Sequence, residues 1–420
     1  MRFNKQILAW AFYDWANSAY ATVVMAGFFP IFFRDYWGDG RESASITLAL
    51  GVANSAASIL IVLTAPLLGA MADHSGAYKR FLLIFAVLGQ GMTAGLFLVH
   101  QGGWYLAAII YVLATFGFMG ANIFYDALIV WVAPRGRYDT VSALGFALGY
   151  LGGGILFALC ALMSLFPSSF GLADATMAVR ASFLLVALWW LVFSLPLLLK
   201  VRGPAGKRAR PIIESISLGL RQVKETLLQI RRLRMVALFL LAYWLYIDGV
   251  DTIVRMAVDY GRALGFNRND LIIALLITQF IGFPAALFFG HLGQWLGTKP
   301  AIYVALGIYI LVTLWGSRMT QIWEFYGLAV AIGLVQGGIQ SLSRAFYARL
   351  VPVDKVAEFF GFYNMLGKFA AVIGPVLVGG VGMLSGSPRV GMLSIVVLFI
   401  AGGFILLFVD TSSTADRGMK

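Results

Sequence analysis

The chain has 420 residues, of which 60% are hydrophobic and 12% are charged, and its net charge is +12. Soluble domains of average composition are about 25% charged, so this chain has too little charge to cover a water-facing surface. The composition excludes a soluble globular enzyme, a disordered chain and a fibrous repeat, and it predicts an integral membrane protein.

Twelve stretches are long and apolar enough to cross a bilayer as helices, which takes about 20 residues each. They are continuously apolar, which excludes the alternating pattern of membrane barrel strands. The predicted fold class is therefore an all-α integral membrane protein. In chain order the predicted spans are residues 8–33, 47–71, 81–99, 104–133, 141–165, 180–199, 235–258, 270–296, 300–317, 322–350, 359–384 and 390–409.

The distribution of Lys and Arg predicts the orientation, because short cytoplasmic loops are enriched in these residues. With the N-terminus inside, 21 of the 31 Lys and Arg residues fall on the cytoplasmic side and seven on the opposite side. We expect both termini in the cytoplasm. The basic surface is interpreted as a topology signal and a contact with anionic lipid, not as a nucleic-acid site.

The longest polar insertion, residues 200–234, separates spans six and seven and contains ten basic and two acidic residues. Apolar residues at helical spacing between Ile212 and Leu227 predict an amphipathic helix on the inner leaflet. This helix is either a plain linker or a regulatory site. The predicted domains are a six-helix half over 1–199, the basic linker over 200–234 and a second six-helix half over 235–420.

Three sequence features recur in the same order in the two halves, which predicts that the halves are pseudo-symmetric. The pairs are Asp14-x-x-Asn17 with Asp248-x-x-Asp251, the loop Gly69-x-x-x-Asp73-x-x-Gly76-x-x-Lys79 with Gly290-x-x-x-Gln294-x-x-Gly297-x-Lys299, and Pro134 before Gly145 with Pro352 before Gly361.

This six-plus-six layout resembles the major facilitator superfamily, in which the substrate binds near the midplane between the halves. Residues 69–80 resemble the signature loop after the second helix of that superfamily, with a departure at His74. The resemblance implies that Asp73, with Lys79 and Arg80, gates the cytoplasmic end of the protein. Asp73 would face the start of span eleven and the arginines of the loop after span four.

A narrower resemblance rests on residues 11–20, 145–153, 241–250, 333–352 and 358–375. These segments resemble the vacuole-effluxer, autophagy-related amino-acid permease branch of the superfamily. The resemblance implies a multi-pass protein of a bacterial inner membrane, monomeric by the family default, that transports a small solute.

Seven ionisable residues lie within predicted spans, where each costs at least about 2.5–3.5 kcal/mol at the bilayer centre. Together with four amides they form polar stripes at helical spacing, mainly on spans one, four, seven and ten, which by the resemblance line the cavity. We expect all eleven residues to bind substrate: Asp14, Asn17, Asn122, Asp126, Asp248, Asp251, Arg255, Gln336, Gln340, Arg344 and Lys368.

Buried acids together with buried bases suit a zwitterionic substrate such as an amino acid. Arg344 or Lys368 would bind its carboxylate, and Asp248 or Asp14 its ammonium group. Asp248 is also the candidate proton-coupling acid, because a buried carboxyl group can take up and release a proton during a cycle. Two structural alternatives stay open, namely that Asp251 pairs only with its neighbour four residues later and that Arg344 pairs only with an acid of span four.

The sequence disfavours other functional classes. It contains no phosphate loop, no His-Glu-x-x-His helix and no histidine at a span centre, so we expect neither an enzyme nor a cofactor or metal site. An exporter of drugs, lysophospholipid or muropeptide on the same fold stays an alternative. A membrane receptor that does not transport is a more remote one.

Overall fold

The computed structural model describes residues 3–204, 219, 221–226, 233–263 and 268–410. Within these ranges some side chains, including those of Arg255 and Lys368, lie outside the description, as does most of the predicted linker helix. The described part is helical and contains no strand. Its twelve long helices are α1 Lys5–Trp37, α2 Ser43–Ser75, α3 Tyr78–Gly95, α4 Trp104–Ala127, α5 Tyr138–Leu165, α6 Ala175–Lys200, α7 Arg234–Ala263, α8 Arg268–Leu296, α9 Thr298–Gly316, α10 Ile322–Leu350, α11 Val356–Ser385 and α12 Val396–Leu407.

Eleven helical segments of the described part are long and apolar enough to cross a membrane. The last of them, Arg389–Leu407, combines α12 with the short helix Pro388–Leu393 before it. The remaining helix, α11, coincides with the predicted span 359–384, and its described apolar stretch is Ile373–Ser385. The predicted spans differ from the observed helices mainly at their ends, because polar residues continue several helices beyond the apolar run.

Helix α1 departs from ideal geometry. Its backbone widens to i→i+5 hydrogen bonding over Tyr20–Phe28 and again over Phe33–Trp37. Pro30 lacks an N–H group and its ring would clash with the carbonyl group of Ala26 in a regular helix. Local widening of this kind relieves such a clash. Gly27 lies in the widened part and lets α1 approach the Phe157 ring of α5.

The helices pack in the same way in the two halves of the chain. In the first half α1 packs on α5 and α6, and α4 packs on α2 and α3. In the second half α7 packs on α11 and α12, and α10 packs on α8 and α9. The halves meet where α2 packs on α11 and where α5 packs on α8 and α10.

Two lysines show the same repeat at the level of single contacts. The Lys79 ammonium donates to the carbonyl oxygens of Leu198 and Val201 at the end of α6. The Lys299 ammonium donates in the same way to Leu407 and Val409 at the end of α12. Each lysine binds the carbonyl groups that the last helix of its half leaves without a partner.

Candidate functional site

The centre of the site is Arg344 on α10, which is 2% exposed although it carries a full charge. Its Nη1 donates to the Asp126 carboxylate of α4 at 2.9 Å. Its Nε and Nη2 donate to the hydroxyl and carbonyl oxygens of Ser142 on α5 at 2.8 and 2.9 Å. One arginine of the second half therefore binds two helices of the first half.

Two acids share this arginine. Asp14 of α1 lies 3.6 Å from Nη2 of Arg344 and accepts the Tyr125 hydroxyl at 2.9 Å. Asp126 also accepts the amide of Asn364 on α11 at 3.1 Å. The expected pairing of Arg344 with an acid of span four is present, and Asp14 joins it. The pairing alternative and a role in transport are compatible, because this ion cluster joins the two halves.

Aromatic rings enclose the guanidinium group. Its central carbon lies 4.4 Å from the ring centre of Phe146, 4.9 Å from Trp10 and 5.3 Å from Tyr125. Such contacts stabilise a cation and exclude water from it. Gly145 makes room for the cluster, since a Cβ atom there would lie 2.8 Å from the Asp14 carboxylate.

The cluster contains two carboxyl groups and one guanidinium group, all buried. With both acids ionised it would carry one uncompensated negative charge, which is costly away from water. A proton or a cationic group of a ligand would balance it. This imbalance is a chemical property that binding of a proton or a cation can relieve.

A second polar layer lies one helical turn, about 5.4 Å, farther into the bundle. Asn17 follows Asp14 on α1, Asn122 precedes Asp126 on α4, and the two amides are hydrogen-bonded to each other. Gln340 and Gln336 precede Arg344 on the same face of α10 by one and two turns and are half-buried. The structure thus brings together the predicted residues of spans one, four and ten.

The predicted residues of α7 have different environments. Asp248 is fully buried and accepts the backbone N–H of Gly374 on α11 at 2.9 Å, a contact that the sequence did not suggest. Asp251 is half-buried one turn farther along α7. The side chains of Arg255 and Lys368 lie outside the described residues, so the expected Asp251–Arg255 pair stays a prediction.

The predicted gate residues separate into two groups. Asp73 accepts the backbone N–H groups of Ala357 and Glu358 in the first turn of α11, at 2.9 and 2.8 Å, and also the Tyr78 hydroxyl. Its carboxylate thus binds the start of α11 itself instead of an arginine of the α4–α5 loop. Lys79 caps α6 within its own half and Arg80 is exposed, and the gating role of these two residues stays a prediction.

One cross-half contact has no counterpart in the sequence analysis. Arg349 of α10 binds both carboxylate oxygens of Asp139 on α5 at 3.0 and 2.6 Å, and Thr298 donates to the same acid. The sequence signal for Asp139 was weak, since it consisted only of a polar residue at the start of a helix that follows a proline turn. Ser142 was missed because a serine within an apolar helix usually bonds to its own backbone.

These cross-half contacts lie at one end of the bundle, the end that carries loops 76–77, 133–137, 297 and 351–355 and that we call the basic end. There the bonds of Arg344, Asp73 and Arg349 hold the two halves together. The basic end is therefore closed in this structure. Among the described residues, no cluster of His, Cys, Asp and Glu is suited to bind a metal ion.

Comparison with known proteins identifies relatives of this architecture. The profile of the family described as "Vacuole effluxer Atg22 like" matches residues 38–418. The chain is 37% identical over 417 residues, 99% of this chain and 97% of the relative, to the "Uncharacterized MFS-type transporter YxiO" of Bacillus subtilis (strain 168). It is 27% identical over 302 residues to autophagy-related protein 22-1 of Aspergillus niger, which covers 67% of this chain but 48% of that protein.

A solved structure supports the fold. The human organic anion transporter MFSD10 (TETRAN) superposes with a TM-score of 0.70 over 96% of this chain and 99% of that chain, at 15% identity. At this identity the likeness concerns the fold alone. It confirms the predicted fold class, the major facilitator fold, and these relatives are transporters and not enzymes.

Proposed function

The chain belongs to the vacuole effluxer Atg22-like family and is a multi-pass membrane transporter of the major facilitator superfamily, and from this premise we propose that it is a secondary active transporter for small polar or zwitterionic solutes. Amino acids are the class that we favour. The observation that carries the proposal is the polar layer of Asn17, Asn122, Gln336 and Gln340 directly beyond the ion cluster.

The composition of this layer supports the substrate class. Amides can donate and accept hydrogen bonds at once, so Asn122 and Gln340 suit both a carboxylate and an ammonium group. Asp251 is half-buried on α7 and supplies a negative charge, and the sequence adds positive charges at Arg255 and Lys368. A site with both signs favours a zwitterion over a drug or a lysophospholipid.

The ion cluster supports proton coupling. Asp14 and Asp126 together exceed the charge of Arg344 by one, and uptake of one proton would remove this excess. Asp14 is the more weakly held of the two acids, at 3.6 Å from the guanidinium nitrogen against 2.9 Å for Asp126. We therefore consider Asp14 beside Asp248, the acid that the sequence favours, as a proton-coupling residue.

The contacts of the basic end support alternating access. In the state described here this end is closed, and transport requires a second state in which the halves over 1–199 and 235–420 separate there. The excess of Lys and Arg supports a cytoplasmic basic end, and the Bacillus relative supports a bacterial inner membrane. The contacts of Arg344, Asp73 and Arg349 must then break and re-form in every cycle.

The direct test is transport by purified protein in proteoliposomes. Counterflow of radiolabelled amino acids is measured with and without a pH gradient, beside a dye substrate and a lysophospholipid. We expect saturable amino-acid counterflow that a pH gradient drives uphill. Flux of the lipid or dye alone would favour the alternative exporter, and ligand binding without any flux would favour a receptor.

Three variants test which acid takes up the coupled proton. Asp14→Asn and Asp248→Asn remove one acid each, and Asp39→Asn, in an exposed loop where Gln101 donates to its carboxylate, is the matched control. The coupling acid is the one whose amide variant keeps counterflow but loses uphill transport. Retention of proton-driven transport by both buried variants would contradict proton coupling through these residues.

A further inference from the structure

The linker between the two halves contacts both of them at the basic end. The described linker residues 219 and 221–226 are helical, and we call them the clasp segment. A Cβ atom on Gly219 would lie 2.9 Å from the Leu67 side chain of α2. Three residues later, the Gln222 amide donates to the Glu358 carboxylate in the first turn of α11. The clasp segment therefore packs on one helix from each half.

The contact face of the clasp segment is polar and buried. Gln222 is 8% exposed and Thr226, one turn later on the same face, is 2% exposed. Thr226 accepts the ammonium group of Lys355, just before α11, at 3.1 Å. On the exposed side of the same helix Arg221 and Glu225 pair with each other in solvent. Buried polar side chains that match a partner indicate a specific contact, which a plain linker helix does not need.

Beneath the clasp segment, α2 and α11 touch through their backbones. A Cβ atom on Gly69 would overlap the carbonyl group of Ala357, and one on Gly361 would overlap the carbonyl group of Ala65. Opening of the basic end must separate these two helices. Since the clasp segment is bound to both, it has to leave at least one of them when they separate.

The Glu358 carboxylate is incompletely hydrogen-bonded in this contact, which lowers the free-energy cost of breaking it. The side chain is fully buried and Oε2 accepts the Gln222 amide, while Oε1 has no close hydrogen-bond partner among the described residues, with Thr226 and Lys355 as the next polar neighbours of the carboxylate. A buried carboxylate oxygen without a donor is costly. Once the clasp segment lifts, water can reach both oxygens, so opening is partly compensated by hydration of this acid.

We propose that the clasp segment is a gate element that holds the basic end closed through the Gln222–Glu358 contact and thereby sets the balance between the two transport states. The proposal rests on alternating access as the proposed function. It assigns a positioning role in transport to two residues that the sequence analysis did not select, and of the two alternatives for the linker it favours the regulatory one.

The test measures the distance between spin labels across the basic end. Labels at Gly136→Cys and Val353→Cys, both exposed loop positions of opposite halves, are read in a Cys160→Ala background by pulsed electron resonance. We compare Gln222→Ala with Arg221→Ala, which alters the exposed face of the same helix. The double exchange Q222E/E358Q reverses amide and carboxylate and preserves the hydrogen bond.

We expect Gln222→Ala to raise the ratio of open to closed molecules by about tenfold, as loss of a hydrogen bond to a charged group implies. Arg221→Ala should leave the ratio unchanged, and the double exchange should restore it. A parent that shows two distances, with the same ratio of open to closed molecules in Gln222→Ala and Arg221→Ala, is the contrary result. That result would overturn the gating role of the clasp segment but not alternating access. A single distance in the parent with and without substrates would overturn alternating access as well.

Discussion

The starts of α11 and α5 each present the positive end of a helix dipole. A carboxylate lies at each of them, but it comes from a different part of the chain in the two cases. At α11 the carboxylate that accepts the helix N–H groups comes from another helix, because Asp73 of α2 accepts two N–H groups of the first turn. The acid of that first turn, Glu358, binds Gln222 of the clasp segment instead. At α5 the acid belongs to the first turn itself, and Arg349 of α10 binds Asp139 there. In both cases a carboxylate lies at a helix N-terminus, where the helix dipole favours it, and links the two halves.

This difference explains why the second copy of the signature loop has an amide, Gln294, where the first copy has an acid. Gln294 stands where the first copy has Asp73, and it donates to Thr140 at 3.3 Å. Asp139 already supplies the negative charge at this helix start, and the neighbouring Gly293 lies close to its carboxylate. A second acid at position 294 would repel it. The repeat thus preserves the position of the charge and not the identity of the residue that carries it.

The largest effect should come from Asp73→Ala. It removes both hydrogen bonds to the start of α11 and should destabilise the closed state by about 1.5–3 kcal/mol. We expect the label pair at positions 136 and 353 to shift toward the longer distance. Asp73→Asn keeps one acceptor oxygen and should shift the label distance less. Equal distance distributions in Asp73→Ala and the parent would contradict a gate at Asp73.

A smaller effect is expected at α5. Arg349 is partly exposed and its ion pair with Asp139 is partly screened, so the pair should contribute about 1 kcal/mol to the closed state. Arg349→Ala, Asp139→Ala and the double variant form a cycle read by the same label pair. Additive effects of the two single variants would show that the ion pair does not couple the halves.

The substitution Gln294→Asp tests the explanation of the second copy. Repulsion from Asp139 should weaken the closed state by about 0.5–1 kcal/mol, although the change restores the sequence pattern of the first copy. Gln294→Asn is the matched neutral control. A closed state that becomes more stable in Gln294→Asp would mean that the two loops work by the same chemistry after all.

The smallest effects should be equal in the two halves. Lys79→Met and Lys299→Met each remove a cap from the last helix of one half, which is worth about 0.3–1 kcal/mol. Both should lower the melting temperature of the detergent-solubilised protein by similar amounts and leave the label distance unchanged. A distance shift in Lys79→Met alone would support the gating role that the family resemblance implies for this lysine.

The sequence predicted the helices well because hydrophobicity alone determines which segments a bilayer accepts. The span predicted at 322–350 coincides with α10, whereas the widened turns of α1 depend on how Pro30 packs. Helical spacing correctly grouped Asn17 with Asp14 and Gln340 with Arg344, since residues three or four apart share a face.

Partners on other helices were harder to predict. The pairing of Arg344 with Asp126 was among the alternatives because both are charged and buried. The bond from Gly374 to Asp248 was not, since a backbone N–H group leaves no trace in the sequence. The same holds for the amides that bind Asp73. The clasp contact of Gln222 joins residues 136 positions apart, and no pattern in one sequence links such a pair.

Alternating access with a closed basic end, the central claim of the proposed function, requires that water reach the polar layer beyond the ion cluster from the opposite side. The most direct test places a single cysteine at Gln340 in the Cys160→Ala protein, in sealed vesicles of known orientation, and adds a membrane-impermeant thiol reagent to either side. Leu311→Cys, at an exposed apolar position of α9, is the control that lipid should protect. The account predicts that Gln340→Cys reacts from the side opposite the basic end while Leu311→Cys does not, and a Gln340→Cys protein unreactive from both sides would contradict it.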